Sequence, residues 1–248
     1  MIPVALLAIA LLALAWAVIA DIDEFRRFQL MEYTHRRQRM ILWWVLKYFL
    51  LFVGLGVAGL AILGRLDSLW TFPAEFVEAA AAIPAFDIES DSIGFVGGAL
   101  IGALLGGGIL GGVLAARRPE ATGLARGVES MLPRNAAETR CTALLSINAG
   151  VSEEIFFRLY LPLLFMAVGT GAILAFVLAG LIFALAHAYQ GIVGILVTGL
   201  VGAVLTIVYL ISGSLWLVIA IHVALDLNAL VLRPTITRLV RQRAAGRQ

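Results

Sequence analysis

Charged side chains are scarce in this sequence. Only 14% of the 248 residues are charged and 62% are hydrophobic, with a mean hydropathy of +1.00. Soluble globular domains carry about 25% charged residues, so the composition excludes an ordinary soluble protein. Several apolar runs approach the roughly 20 residues that a helix needs to cross a bilayer. The chain is therefore predicted to be a polytopic, integral membrane protein.

Cysteine is nearly absent as well. Cys141 is the sole cysteine, which excludes an intramolecular disulfide and a zinc site built from two or four thiolates. The formal net charge is +2, but the basic residues fall in short blocks beside apolar segments. That placement is typical of membrane topology and argues against a nucleic-acid partner.

The apolar runs predict an all-α transmembrane bundle of about seven helices. They cover residues 2–20, 41–63, 93–116, 140–167, 171–189, 191–211 and 214–232. Because Lys and Arg concentrate on the cytoplasmic side, we expect the N-terminus outside and the C-terminus inside. No base precedes the first run, so a retained helix is expected there rather than a cleaved signal.

Three regions follow from this topology. Residues 1–130 form an N-terminal membrane region with the first three helices, a basic cytoplasmic segment at 21–40 and an acidic extracytoplasmic loop at 64–92. Residues 131–233 contain the last four predicted helices, and residues 234–248 form a basic cytoplasmic tail. A short surface helix is expected at 74–82, and Trp43, Trp44 and Lys47 are expected to anchor the second helix at the membrane interface.

The third predicted helix, 93–116, is rich in glycine. Gly94, Gly98, Gly102 and Gly106 recur at four-residue spacing, and the pairs Gly107/Gly111 and Gly108/Gly112 repeat this spacing on adjacent faces. Such faces let another helix approach closely. We therefore expect close packing along this helix, or a homo-oligomer formed through it.

Six ionisable side chains interrupt the apolar sequence between residues 141 and 232. They are Glu153, Glu154, Arg158, His187, His222 and Asp226. A charge at the bilayer centre costs about 2.5–3.5 kcal/mol on insertion scales, so these groups are expected to pair or to function. With a rise of about 1.5 Å per residue, their positions along the predicted helices allow them to meet at one depth.

Residues four apart lie on one face of a helix. This spacing relates Glu154 to Arg158, His222 to Asp226, and Phe183 to His187. Glu154 is therefore expected to form an ion pair within its helix. Glu153 has no such cation and is the carboxylate free to act as a base.

Three motifs in this order resemble those of the CPBP intramembrane proteases, which include the type II CAAX prenyl proteases and the bacterial Abi proteins. Residues 153–158, reading EEIFFR, resemble the EExxxR motif; residues 183–187, FALAH, resemble FxxxH; and residues 222–226, HVALD, resemble HxxxN/D. The resemblance covers residues 140–232. It implies that residues 131–233 form a catalytic core and that the protein lies in a bacterial plasma membrane.

The resemblance implies an intramembrane endopeptidase that cleaves membrane-associated peptides or proteins, with CAAX-type processing of a lipidated C-terminus as one option. Glu153 and His187 would activate a water, while His222 and residue 226 would stabilise the oxyanion. The implied catalytic residues are Glu153, His187, His222 and Asp226, with Glu154, Arg158 and Phe183 in support.

Two positions depart from the family pattern. Leu159 stands where a glycine often follows the arginine, and Asp226 replaces the commoner asparagine. An ionised aspartate cannot donate a hydrogen bond to an oxyanion. It must therefore be protonated there or orient His222 instead.

Metal use is left open at this stage. Glu153, His187 and His222 form a plausible zinc set, yet a glutamate and a histidine can position water without a metal, and we favour no cofactor. Three alternatives to a protease also stand: a buried polar network that fixes helix packing, a non-proteolytic scaffold or immunity protein of the same family, and a proton-coupled transporter.

Overall fold

The described chain is built from helices. The computed structural model describes residues 1–83, 90–117 and 130–245, and these contain no β-strand. The helices are α1 (Ile2–Gln29), α2 (Thr34–Ile62), α3 (Val77–Ala81), α4 (Ser90–Arg117), α5 (136–167), α6 (Ala172–Ala186), α7 (Gly191–Ser212) and α8 (215–245). The predicted all-α class is confirmed.

Five of these helices are long and apolar enough to cross a membrane, namely α1, α2, α4, α7 and α8. Helix α6 is apolar but has 15 residues, and α5 carries the charged residues at 153, 154 and 158. The polytopic membrane bundle is thus confirmed. The number of seven spans and the orientation of the termini remain predictions.

Several helices extend beyond their predicted ends into basic sequence. Helix α1 runs to Gln29 and α2 begins at Thr34, so most of the 21–40 segment belongs to these two helices. Helix α8 continues past residue 232 to Ala245. A helix satisfies its own backbone hydrogen bonds whether its side chains are apolar or charged, so the change of composition does not end it.

The segment that follows α2 closes one end of the bundle. It forms short 3₁₀ turns at Leu66–Leu69 and Ala74–Phe76 and then α3, which matches the helix expected at 74–82. Phe76 is fully buried and packs edge-on against Phe176 of α6, with ring centroids 4.7 Å apart. Residues 84–89 of the predicted loop lie outside the described residues.

The N-terminal helices pack directly on α5 and share its hydrophobic core. Phe52 of α2 lies 4.9 Å from Phe156 of α5 between ring centroids. Near the start of α5, Nε of Arg37 donates to Oε2 of Glu138 at 3.2 Å, and both side chains are fully buried. The Asn135 side chain caps α5 by accepting from the Glu138 amide. These contacts fix α1 and α2 against the helix that carries the two glutamates.

Candidate active site

Glu154 is at the centre of a buried charge network. Its Oε1 lies 2.6 Å from Nδ1 of His222, and its Oε2 lies 3.1 Å from Nε of Arg158. The latter contact is an ion pair without the alignment of a hydrogen bond. Arg158 also donates from Nη2 to the carbonyl oxygen of Gly202 at 3.2 Å. The ion pair predicted from the four-residue spacing is therefore present, and Glu154 holds His222 as well.

His222 faces two further carboxylates with its other ring nitrogen. Nε2 lies 4.0 Å from Oε2 of Glu153 and 3.9 Å from Oδ2 of Asp226. Because a carboxylate can only accept, the contact with Glu154 places a proton on Nδ1 and directs Nε2 toward these two groups. Both distances exceed a direct hydrogen bond. A water or a substrate oxygen can bridge such a separation.

His187 is fixed by the helix that carries it. It follows the last residue of α6, and its Nδ1 lies 2.9 Å from the carbonyl oxygen of Phe183. A carbonyl oxygen only accepts, so Nδ1 carries the proton and the neutral ring keeps Nε2 as an acceptor. The Phe183 ring packs against His187 and lies 4.2 Å from the Arg158 guanidinium. Phe183 therefore connects the two motifs.

The predicted catalytic residues line one cavity of about 360 Å³. Glu153, His187, His222 and Asp226 all contribute to its wall. Glu154 is fully buried, whereas the Glu153 side chain keeps 15% of its surface exposed. The division into a structural and a chemical glutamate stays a prediction.

Helix geometry changes beside these residues. Helix α5 widens into a π-helical turn at Ile155–Tyr160, directly after Glu154, and α8 does so at Asn228–Leu232, shortly after Asp226. Helix α2 has a third π-helical turn at Phe49–Gly54. Such turns are rare and are frequent at functional sites.

The N-terminal helices supply part of the cavity wall, which the sequence motifs did not reveal. Asp21 of α1 and Tyr48 of α2 line it, as do Tyr189 and Gln190 from the turn between α6 and α7. One signal in the sequence pointed to Asp21. Lys47 is the one charged residue in the predicted helix 41–63, so it needs an acidic partner from a neighbouring helix.

The interpretation of Lys47 and Trp44 as interfacial anchors is wrong. Nζ of Lys47 lies 2.6 Å from Oδ1 of Asp21 and 2.6 Å from Oε2 of Glu24. Trp44 is buried and donates from Nε1 to the same Glu24 oxygen at 2.6 Å. The two acids lie three residues apart on α1 and so face α2 together. They hold Lys47 inside the bundle.

The donor atoms do not fit a zinc centre as they are placed. Nε2 of His222 lies 4.0 Å from Oε2 of Glu153, which is farther apart than two ligands about 2.0–2.2 Å from one tetrahedral zinc ion. In the described ranges, no three His, Cys, Asp or Glu side chains form a group that could hold a metal ion. The alternative zinc set Glu153, His187 and His222 is thus not assembled in this arrangement.

The fold and the site define an integral membrane protein with a carboxylate and imidazole site inside its helix bundle. Residues 137–228 match the family model described as type II CAAX prenyl endopeptidase Rce1-like. This stretch is therefore Rce1-like, which confirms the resemblance that the three motifs indicated, and the family is one of proteases. Searches of curated proteins and of solved structures gave no match.

Proposed function

We propose that the protein is a glutamate-dependent intramembrane endopeptidase of a bacterial plasma membrane. The observation that carries the proposal is the position of Glu153, which lines the cavity 4.0 Å from Nε2 of a histidine that Glu154 holds from its other side. A water at Glu153 would have a base on one side and a charge-stabilising group on the other.

The chemistry is hydrolysis of a peptide bond. Glu153 accepts a proton from the water as the water oxygen attacks the carbonyl carbon, with Nε2 of His187 as a second acceptor that orients the water. The carbonyl electron pair moves onto oxygen, where Nε2–H of His222 in its imidazolium form donates a hydrogen bond. The C–N bond then breaks, and Glu153 returns the proton to the leaving nitrogen.

Arg158 and Glu154 act through His222. A buried imidazole with free rotation would spend little time in the reactive orientation, and the 2.6 Å contact with Glu154 fixes its ring. Arg158 in turn neutralises Glu154 and is itself held by Gly202 and Phe183. We therefore assign Glu154, Arg158 and Phe183 a supporting role.

The substrate proposed is a membrane-associated peptide or protein. The cavity wall is mainly apolar, with Leu14, Phe52, Val201 and Leu225 among its residues, and it suits a chain that arrives with lipid-soluble groups. C-terminal CAAX-type processing is the specific activity we propose, because the family model that matches the chain bears that description.

The test compares wild type with Glu153→Gln in two assays. Membrane proteomes of cells that express either form identify cleaved proteins without presuming a substrate. An assay with purified protein uses an internally quenched peptide that ends in a farnesylated cysteine and three further residues. The unprenylated peptide is its matched control. Loss of the base should lower kcat by roughly 10²–10⁴-fold while the amount and thermal stability of the protein stay unchanged.

Two results would contradict the proposal in different ways. Equal proteomes together with no cleavage of either peptide would favour the scaffold or immunity role over an enzyme. Glu153→Gln activity above about a tenth of wild type would retain the protease but reject Glu153 as its base, since base loss costs at least about 10²-fold.

A further inference from the structure

The oxyanion of the proposed reaction needs a second hydrogen-bond donor in this cavity. Nε2 of His222 supplies one, but residue 226 is an aspartate, and its Oδ2 lies 3.9 Å from that same nitrogen. An ionised carboxylate only accepts hydrogen bonds. An oxygen that gains charge in a cavity with Glu153 and Asp226 on its wall needs more donors than His222 alone.

Three of the donors along the cavity are already engaged. Nε1 of Trp44 donates to Glu24, the hydroxyl of Tyr48 interacts with Asp21, and Nδ1 of His187 is bound to a backbone carbonyl. These protons are therefore not available to a substrate without breaking a contact in the folded protein.

The Tyr189 hydroxyl differs from these groups. It accepts a hydrogen bond from Nε2 of Gln190 at 2.9 Å, and none of the described residues accepts its own proton. A hydroxyl that accepts one hydrogen bond becomes a better donor for the next. The phenol is thus prepared to donate, and Tyr189 lines the same cavity as the catalytic groups.

The tyrosine ring is held in place from two sides. Its centroid lies 5.0 Å from the Phe25 ring, in an edge contact, and 6.0 Å from the His187 ring. It stands on the 3₁₀ turn Ala188–Gln190, which Gly191 ends with a positive φ of 79°. Tyr189 shares the cavity wall with Glu153 and Asp226. A rigid donor near the reacting groups costs little reorganisation during the reaction.

We propose that Tyr189 is a further catalytic residue whose hydroxyl donates a hydrogen bond to the oxyanion and takes the role that Asp226 cannot fill. The inference rests on the proposed endopeptidase function. When the water oxygen bonds to the carbonyl carbon and its proton passes to Glu153, the displaced electron pair on oxygen accepts hydrogen bonds from Nε2–H of His222 and from the Tyr189 hydroxyl. No proton leaves Tyr189, and both hydrogen bonds are released when the C–N bond breaks.

The experiment uses Tyr189→Phe in the full-length protein with the farnesylated, internally quenched peptide. Phenylalanine keeps the ring contacts with Phe25 and His187, so the fold is preserved. Removing one oxyanion donor should lower kcat about 10²-fold, with KM changed by less than about threefold because the contact forms in the transition state. The matched control is Tyr209→Phe, which makes the same change at a buried tyrosine outside the cavity lining, where the hydroxyl has no hydrogen-bond partner among the described residues, and it should leave kcat and KM near wild type.

A double variant separates this role from a structural one. Asparagine at position 226 always offers an amide donor, so Tyr189→Phe should cost less than about tenfold when it is made in Asp226→Asn, which is the non-additivity expected of groups that share one task. The same loss in both backgrounds, or a loss seen mainly in KM, would reject Tyr189 as an oxyanion donor. A wild type that cleaves no peptide would instead reject the proposed function and this inference with it.

Discussion

At the scale of single residues, two adjacent glutamates have opposite surroundings. Glu154 is fully buried between Arg158 and His222, whereas Glu153 reaches the cavity. Neighbours on a helix point about 100° apart, and in the proposed mechanism that angle separates a supporting group from a reactive one. Variants at the two positions should therefore fail in different ways.

Glu154→Gln should reduce stability as well as activity. It leaves Arg158 in the bundle without its anion, and removal of one partner of a buried pair costs about 3–5 kcal/mol; the contacts of Arg158 with Gly202 and Phe183 keep the loss toward the lower end. Thermal unfolding in detergent measures this, with Glu153→Gln as the matched control. Equal melting temperatures for wild type and Glu154→Gln would show that the ion pair contributes little.

Metal independence is a second prediction at this scale. We expect phenanthroline to leave peptide cleavage unchanged and purified protein to contain less than stoichiometric zinc, since Oε2 of Glu153 and Nε2 of His222 lie 4.0 Å apart, too far for two ligands of one tetrahedral zinc ion. Asp226→Asn should retain or raise activity, because an amide donates in every state. Elemental analysis that finds one zinc per chain, lost together with activity in His187→Ala, would instead identify a metalloprotease.

At the scale of elements, the glycine-rich helix α4 has two different faces. Gly108 and Gly112 pack against α8, where Nδ2 of Asn228 donates to the Leu104 carbonyl oxygen at 2.6 Å. Gly98, Gly102 and Gly106 face open space. One glycine face is therefore used within the chain, as the spacing predicted. The other face has room for a second copy of the chain, so we retain the proposal of a homo-oligomer through this helix.

Alanine substitutions should distinguish these faces. A methyl group at Gly112 would lie 2.9 Å from the Arg233 carbonyl oxygen and 2.8 Å from Cβ of Ile236, so Gly112→Ala should destabilise the protein by about 1–3 kcal/mol, as overpacking does. Gly102→Ala meets no atom within 4 Å and should leave monomer stability unchanged. Thermal unfolding tests both, and a destabilised Gly102→Ala with a smaller particle in size-exclusion chromatography would indicate that α4 mediates the oligomer.

At the scale of the whole molecule, the proposed orientation predicts which surfaces face the cell exterior. In a Cys141→Ala background, Thr71→Cys in the exposed segment after α2 should react with a membrane-impermeant maleimide on intact cells. Gln242→Cys near the end of α8 should react only after permeabilisation, because Arg and Lys favour the cytoplasmic side. The reverse labelling pattern would contradict the assignment of the N-terminus outside and the C-terminus inside.

Three kinds of information in the sequence predicted most of the helices and part of the candidate site. Apolar length predicted the long helices, glycine spacing predicted the tight approach of α4 and α8, and four-residue spacing predicted the Glu154–Arg158 pair. All three depend on neighbours within one helix or on composition, which a sequence shows directly.

The sequence by itself determined the membrane class, the Rce1-like motifs and the residues His187, His222 and Glu153 as reactive candidates. The tertiary structure alone decided which atoms meet: that Glu154 holds Nδ1 of His222, that Lys47 is buried against Asp21 and Glu24, and that Tyr189 lines the same cavity as Glu153. The reason is that helical periodicity sets the face of each side chain, whereas the rotation and depth of one helix against another depend on packing across the whole bundle.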